Sequence, residues 1–394
     1  MTPSARLQAA IELLDEVIAA ARSGGAAADT LIARYFKTRR YAGSKDRRAV
    51  RELVYRAIRR SGEVPASGRA AMLGVAQDEP ELLALFDGSP HAPAAVNDGD
   101  AAAARSAVPR WIAGRFDPLI DAKEREALLG RAPLDLRVNR LRGTLDEALA
   151  QLPEATATPL SPIGLRLPEG TQVAETAAYN AGLVEVQDEG SQLLALACAA
   201  QPGMLVIDLC AGAGGKTLTL AAEMANEGRI LATDADRGRL QRMPDRLARA
   251  GVTIVEPRLL NPGRELEQLE DVRGQADLVL VDAPCSGTGT WRRNPEARWR
   301  LTPDRLAKLV ELQARLLDIA ADLVKPGGSL VFAVCSLLAE EGRAQAASFA
   351  ARRSGWVVQK LPIKSGRPAG DGLILSPGHD GTDGFFVARW KAPC

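Results

Sequence analysis

The chain is expected to be an α/β protein built on a doubly wound, mainly parallel sheet, with an all-α module before it and a small α+β subdomain between. Three observations carry this. After Gln187, strand-like apolar runs alternate with helical patterns, the pattern of a parallel sheet with crossover helices. The first run ends in a small-residue loop, Asp208-Leu-Cys-Ala-Gly212-Ala-Gly214-Gly215, at the sheet edge where such folds bind ligands. Residues from about 5 to 86 read as helices alone.

In order, Leu7, Ile11, Leu14 and Ile18 form one apolar stripe, and Val50, Leu53, Val54, Ala57 and Ile58 form a second on a helix that Ser44 is placed to cap. Residues 87–104 are rich in Gly, Pro, Ala and Asp and read as a linker. Strands are expected at 134–139 and 164–167, with a helix at 145–152 between them. The large sheet should use strands at 204–208, 229–233, 252–255, 276–281, 329–334, 356–360 and 385–389, the last entering antiparallel. The longest helix is expected at 303–324. The resulting division is 1–86 helical, 87–132 linker and connecting helices, 133–186 small α+β subdomain, and 187–394 sheet domain.

With 394 residues, 46% hydrophobic and 25% charged, the composition is that of a soluble globular protein of two or three domains. No run reaches the roughly 18 apolar residues of a membrane helix, and Met1-Thr-Pro-Ser-Ala-Arg6 leads into an amphipathic helix and not a signal core. A cytoplasmic location is expected. Five widely spaced cysteines (Cys198, Cys210, Cys285, Cys335, Cys394) fit reduced thiols better than a disulfide framework or zinc site, and two histidines leave little for metal chemistry. Between Arg34 and Arg60 stand eleven Lys/Arg against Asp46 and Glu52, nine net positive charges. Such density suits a polyanion, with Arg39, Arg40, Lys45, Arg47 and Arg48 as expected contacts; the alternative is a solvated helix face.

The glycine loop is not a phosphate loop, because Cys210 occupies the position of its first glycine, and not a dinucleotide fingerprint, because Thr217 replaces the third. An acid followed by Gly-x-Gly resembles the first motif of S-adenosylmethionine-dependent methyltransferases. Asp234, twenty positions after Gly214, is placed to accept from ribose hydroxyls, while Asp236 reads as a helix cap.

Cys285 in Asp282-Ala-Pro-Cys285-Ser286 and Cys335 in Phe332-Ala-Val-Cys335-Ser336 each sit where a strand gives way to a small-residue turn. Two thiols at such an edge suggest covalent chemistry on an electrophilic carbon. Carbon 5 of cytosine is one target: it becomes nucleophilic only after a thiolate adds to carbon 6, with an acid such as Asp282 hydrogen-bonding the N3 side. Cys198 and Cys394 are read as structural or merely exposed, and Cys210 as small enough for the loop.

Together these residues resemble the RNA 5-methylcytosine methyltransferase family, most closely its bacterial ribosomal small-subunit methyltransferase B group. The resemblance rests on Val186-Gln-Asp-Glu-Gly-Ser191, the loop Cys210 to Lys216, Asp282 to Gly289, Cys335-Ser336 with Glu340 and Glu341, and Asp383-Gly-Phe-Phe386. It implies a Rossmann-like class I methyltransferase sheet, a NusB-like RNA-binding N-terminal domain, S-adenosylmethionine as cofactor and RNA as partner. It also implies that Cys335 attacks carbon 6, Cys285 assists release, Asp282 contacts cytosine and methyl donor, and Lys216 positions the site. The implied cofactor set is Cys210, Ala211, Gly212, Ala213, Gly214, Gly215, Lys216, Asp234, Asn261 and Asp282. Two positions depart from the family pattern: Ala213 replaces a usual proline, and Asn261 stands where an aspartate accepts from the adenine amino group.

Trp291-Arg292-Arg293 and Arg298-Trp299-Arg300 interleave aromatics with guanidiniums. They are expected to hold phosphates through Arg292, Arg293 and Arg298 and to stack on an unpaired base, core packing of the tryptophans being the alternative. The target base must be unpaired or flipped out. Small-subunit ribosomal RNA is the expected substrate, with a monomeric enzyme and no metal or membrane. Competing readings are a tRNA or other RNA substrate, a non-catalytic RNA-binding assembly factor, and a DNA cytosine methyltransferase using Cys285, for which no Glu-Asn-Val-type motif is evident.

Overall fold

The computed structural model describes residues 1–394. Chain contacts divide it into two compact units. The first comprises Met1–Phe116, Asp121–Gly130 and Thr290–Pro303; the second comprises Asp117–Ile120, Arg131–Gly289 and Asp304–Cys394.

The first unit is helical. Its helices α1 (Pro3–Ser23), α2 (Ala28–Thr38), α3 (Ser44–Arg60) and α4 (Gly68–Asp78) bury the stripes read from sequence, Leu7, Leu14 and Ile18 meeting Val50, Val54 and Ile58 in one core. Helix α1 starts at Thr2, whose Oγ1 accepts from the Ala5 N–H at 3.1 Å, and stops at Gly24 with φ +72°. Ser44 does not cap α3. It is the first helical residue, and the Asp46 carboxylate accepts from the preceding Gly43 N–H at 3.2 Å. Nor is the expected linker a free spacer. Ala103 N–H donates to Ala70 O (2.8 Å), Ser106 N–H to Arg60 O (3.1 Å), and Arg69 pairs with Asp100 at 2.6 Å. These bonds strap residues 87–106 along α3 and α4.

Residues 290–303 also belong to this unit, which overturns one sequence reading. Trp291 is fully buried, edge-on to Phe116 with ring centroids 6.1 Å apart, and Trp299 donates from Nε1 to Ser61 O at 2.7 Å. Arg298 is 1% exposed, its guanidinium spent on the carbonyls of Ile58, Arg59 (2.7 Å) and Ala107 (2.6 Å). Burial, reinforced by Arg59, pushes its pKa down to about 10. Arg298 therefore ties the end of α3 to the strap and holds no phosphate; Arg292 is buried as well.

The second unit holds two sheets. Strands β1 (Leu134–Val138), β2 (Thr156–Ala157), β3 (Gly164–Leu167) and β4 (Val184–Val186) form a small antiparallel sheet in the order β2-β3-β1-β4. The helix Leu145–Gln151 packs on it, started by a Thr144–Glu147 capping box. The large sheet contains β5 (Leu205–Asp208), β6 (Arg229–Asp234), β7 (Val255–Leu259), β8 (Ala276–Asp282), β9 (Val324–Val334), β10 (Val357–Val358), β11 (Arg367–Ala369), β12 (Gly372–Leu375) and β13 (Phe385–Lys391). Its order is β11-β12-β13-β9-β8-β5-β6-β7, with β10 on β13. Strands β5 to β9 run parallel, and β13 enters antiparallel as expected.

Several details differ from the sequence reading, among them that β9 begins at Val324 and not at 329, and that the strand expected at 356–360 is only Val357–Val358. Strand β7 starts three residues later than expected, because Gly251 (φ +72°) and the turn after it occupy that stretch. It also carries Pro257, tolerated because β7 is an edge strand. The hairpin β11–β12 was not anticipated. Because β5 pairs with β6 on one side and β8 on the other, the sheet has a switch point at the carboxyl end of β5, where doubly wound folds open a ligand crevice.

Arg298→Met should lower the stability of the protein by about 3 kcal/mol, since it orphans several buried carbonyls. At a temperature where both proteins are folded, RNA affinity and its salt dependence should be unchanged. Denaturant melts and binding titrations check this; unchanged stability with a weaker salt slope would restore Arg298 as a phosphate ligand.

Candidate active site

The crevice is a cleft of about 400 Å³ at the carboxyl ends of β5, β6 and β8. One wall is the loop after β5. Its backbone is pinned from both sides: Leu209 N–H donates to Leu280 O (2.9 Å) and Ala211 N–H to Thr233 O (2.8 Å). The two glycines are demanded by geometry. Gly212 sits at φ +58° and Gly214 at φ +84°, and a Cβ on Gly214 would lie 3.0 Å from Met243 Cγ. Gly214 then starts the helix Gly215–Glu223.

Asp234 closes this wall. Its Oδ2 accepts from Gly212 N–H at 2.8 Å and its Oδ1 from Asp236 N–H at 2.7 Å. Each carboxylate oxygen keeps a lone pair directed elsewhere, so the side chain is oriented and still able to accept from a diol. Asp236 caps the next helix by accepting from Arg239 N–H at 3.0 Å.

Of the residues singled out in sequence, Cys210, Ala211, Gly212, Asp234, Asp282, Cys285 and Cys335 line the cleft. Ala213, Gly214, Gly215 and Lys216 do not. Ala213 instead offers its carbonyl to Arg246 Nη1 at 2.8 Å. Lys216 enters the site through Asp282, its Nζ 2.7 Å from Oδ2. Asn261 does not line the cleft either; its N–H donates to Gln268 Oε1 at 2.6 Å while its neighbours Leu260 and Pro262 form the wall. The sequence reading missed Glu265 and Arg315, paired at 2.7 Å in that wall, together with Leu312 and Leu316. The last two stand four residues apart on the helix Pro303–Leu323, a spacing visible in the sequence but assigned only to packing.

The far wall carries the thiols. Cys285 Sγ and Cys335 Sγ are 3.3 Å apart. The hydrogen bond between the two sulfurs and burial push the Cys285 thiol well above the ordinary cysteine range. Burial likewise raises Cys210, reinforced by Asp208. Lys216 behaves differently: burial alone would lower it, but the attraction and hydrogen bond of Asp282 win and raise it, keeping the ammonium charged.

Beneath the loop, Asp208 accepts from Thr217 Oγ1 at 2.7 Å, and its other oxygen has no partner. Burial is the main reason its pKa is raised to about 7. The folded protein thus keeps a proton that the unfolded chain releases near pH ~4. Its stabilising contribution is full below that pH and is lost as pH rises through about 7. Asp208→Asn should remove this loss, so that the variant's melting temperature gains on wild type between those two pH values. A difference that stays flat with pH would overturn the assignment.

Of the basic residues between Arg34 and Arg48, Arg39 pairs with Glu12 at 3.5 Å and stacks 3.6 Å over Tyr35, and Arg47 donates to Ala42 O at 2.9 Å, whereas the exposed Arg34, Lys37, Arg40, Lys45 and Arg48 make no ion pair.

Several known proteins resemble this chain. A family model described as 16S rRNA methyltransferase RsmB/F matches residues 195–391. Ribosomal RNA small subunit methyltransferase B of Salmonella newport (strain SL254) is 36% identical over 293 residues, which cover 73% of this chain and 66% of the relative. The solved structure of PH0851 aligns over 99% of both chains with a TM-score of 0.76 at 25% identity. A methyltransferase homolog from Pyrococcus horikoshii aligns over 68% of this chain and 90% of its own, with a TM-score of 0.60 at 30% identity. With the glycine loop, the oriented Asp234 and the paired thiols all inside the matched stretch, the chain belongs to the RsmB/F family of 16S rRNA methyltransferases.

Proposed function

We propose that the protein methylates carbon 5 of a cytosine in RNA, using S-adenosylmethionine and a covalent bond to Cys335. The observation that carries this reading is the pair of thiols 3.3 Å apart on one cleft wall, beside an Asp282–Lys216 ion pair. The cleft suits the cofactor: its volume of about 400 Å³ is that of a small-molecule site, the left-handed glycines bring backbone to its surface, and Asp234 is free to accept from ribose hydroxyls. Cys210 to Gly212, Asp234 and Asp282 would hold it. When bound, it supplies an electrophilic methyl group.

The residues of the chain do the rest. The Cys335 thiolate adds to carbon 6, the S–C6 bond forms, and the electron pair moves toward carbon 5. Asp282, held by the Lys216 ammonium, accepts from the exocyclic amino group beside N3, and the positive charge of that ammonium offsets the negative charge that develops on the ring. After the methyl group is on carbon 5, the proton on that carbon must leave to a base, and the S–C6 bond breaks. Cys285 is placed to hydrogen-bond the departing sulfur, which lowers the cost of its negative charge.

The name shared by the Salmonella relatives supports small-subunit ribosomal RNA as the substrate. The all-α first unit with unpaired Arg40, Lys45 and Arg48 supports a NusB-like RNA-docking role, since exposed cations are what phosphates need.

Tritium-labelled methyl transfer tests this with the full-length protein and unmodified ribosomal RNA, tRNA or DNA. Wild type should label ribosomal RNA, and Cys335→Ala should abolish labelling. Cys285→Ala should trap a covalent protein–RNA adduct, seen as a shifted band on a denaturing gel. No labelling of any RNA by wild type would sink the enzyme reading, and labelling by Cys335→Ala would sink the choice of nucleophile.

A further inference from the structure

Each thiol is followed in sequence by a serine, Cys285-Ser286 and Cys335-Ser336, and both serines converge on one buried carboxylate. Glu341 is fully buried. Its Oε1 accepts from Ser286 N–H at 2.8 Å and from Gln313 Nε2 at 3.0 Å. Its Oε2 accepts from the Ser336 hydroxyl at 2.5 Å and from the Ser286 hydroxyl. The two hydroxyls also lie 3.2 Å from each other. Gln313 uses the same amide nitrogen to bond Pro284 O at 2.9 Å, directly before Cys285. No Lys, Arg or His pairs with Glu341.

A buried carboxylate without a counter-ion is costly unless hydrogen bonds replace its solvation. Here four donors do so, and three of them come from the two turns that carry the thiols. Without the carboxylate those turns would keep the backbone bonds Ala283 N–H to Ala333 O (2.9 Å) and Gly289 N–H to Cys335 O (3.1 Å) and the buried Thr288 hydroxyl, which accepts from Leu337 N–H at 2.9 Å and lies 3.2 Å from Ser336 Oγ, but they would lose the one group that Ser286 and Ser336 both donate to.

We infer that Glu341 is a positioning residue that clamps the Cys285 and Cys335 turns together, so that the serines face the carboxylate and the thiols face the cleft at 3.3 Å. The inference rests on the proposed function for its meaning in turnover, but the clamp itself is a statement about thiol geometry. Glu341 touches neither thiol and is not a catalytic residue.

Phenylarsine oxide, which bridges two thiols held close together, tests it on the full-length protein without any methyl transfer. Wild type should capture one arsenical across Cys285 and Cys335, located by peptide mass spectrometry, and Cys335→Ala should capture none there. Glu341→Gln should keep its thermal melt near wild type while its arsenical affinity falls about 10-fold or more, the usual scale for removing an outer-shell partner. Methyl transfer should fall in kcat with KM for RNA unchanged. Ser336→Ala, which removes one bond of the clamp, should show the same changes in smaller measure and replaces Glu341→Gln if that variant does not fold. Undiminished capture by the folded variants would overturn the clamp even if their transfer fell. Diminished capture by a protein that labels no RNA would uphold the clamp and reject the proposed function.

Discussion

The site depends on the pairing of β8 with β9. Asp282 stands opposite Ala333 in that ladder, so the two strands end level with each other and deliver Cys285 and Cys335 to one place. Both strands are apolar on both faces, Leu278–Val281 and Leu330–Val334 being buried throughout. A slip in register would therefore expose no polar group, and hydrophobic patterning gives little protection against it. Polar contacts at the strand ends supply what patterning cannot. Asp277 at the start of β8 pairs with Lys325 of β9, and the Ser286, Ser336 and Glu341 cluster closes the other end.

The electrostatics of the cleft follow from depth and pairing. Asp208 and Asp282 stand at the ends of neighbouring strands, yet burial raises Asp208 to about 7, while Asp282 has Lys216 at 2.7 Å. The thiols lie in a similarly buried setting, where the hydrogen bond between the two sulfurs and burial hold Cys285 well above the ordinary cysteine range.

Much of this was legible in the sequence, for a reason that also explains the failures. The parallel strands are short, buried and apolar, the glycine loop needs left-handed backbone, and both signals are local. Asp234 and the two cysteines follow because each sits at the end of such a strand. Glu265 and Arg315 were invisible because their meeting spans 50 residues and neither has a local signature. Asn261 failed through alignment alone: its neighbours Leu260 and Pro262 face the cleft and it does not. The β11–β12 hairpin was missed because its strands are three and four residues long, below the length at which alternation can be counted.

The basic stretch shows how a charge count and a charge surface diverge. Nine net positive charges lie between Arg34 and Arg60, but Arg51 pairs with Asp29, Arg56 with Glu79 and Arg60 with Asp78, all acids outside that window. The same logic undoes the tryptophan–arginine motif, where Arg298 is consumed by carbonyls and both tryptophans by the helical core. Arg39 pairs in turn with Glu12. The exposed cations of this stretch without an ion pair are Arg34, Lys37, Arg40, Lys45, Arg47 and Arg48, with Tyr41 73% exposed among them. The charge that α2, α3 and the turn between them present to solvent is thus smaller than the count of basic residues suggests.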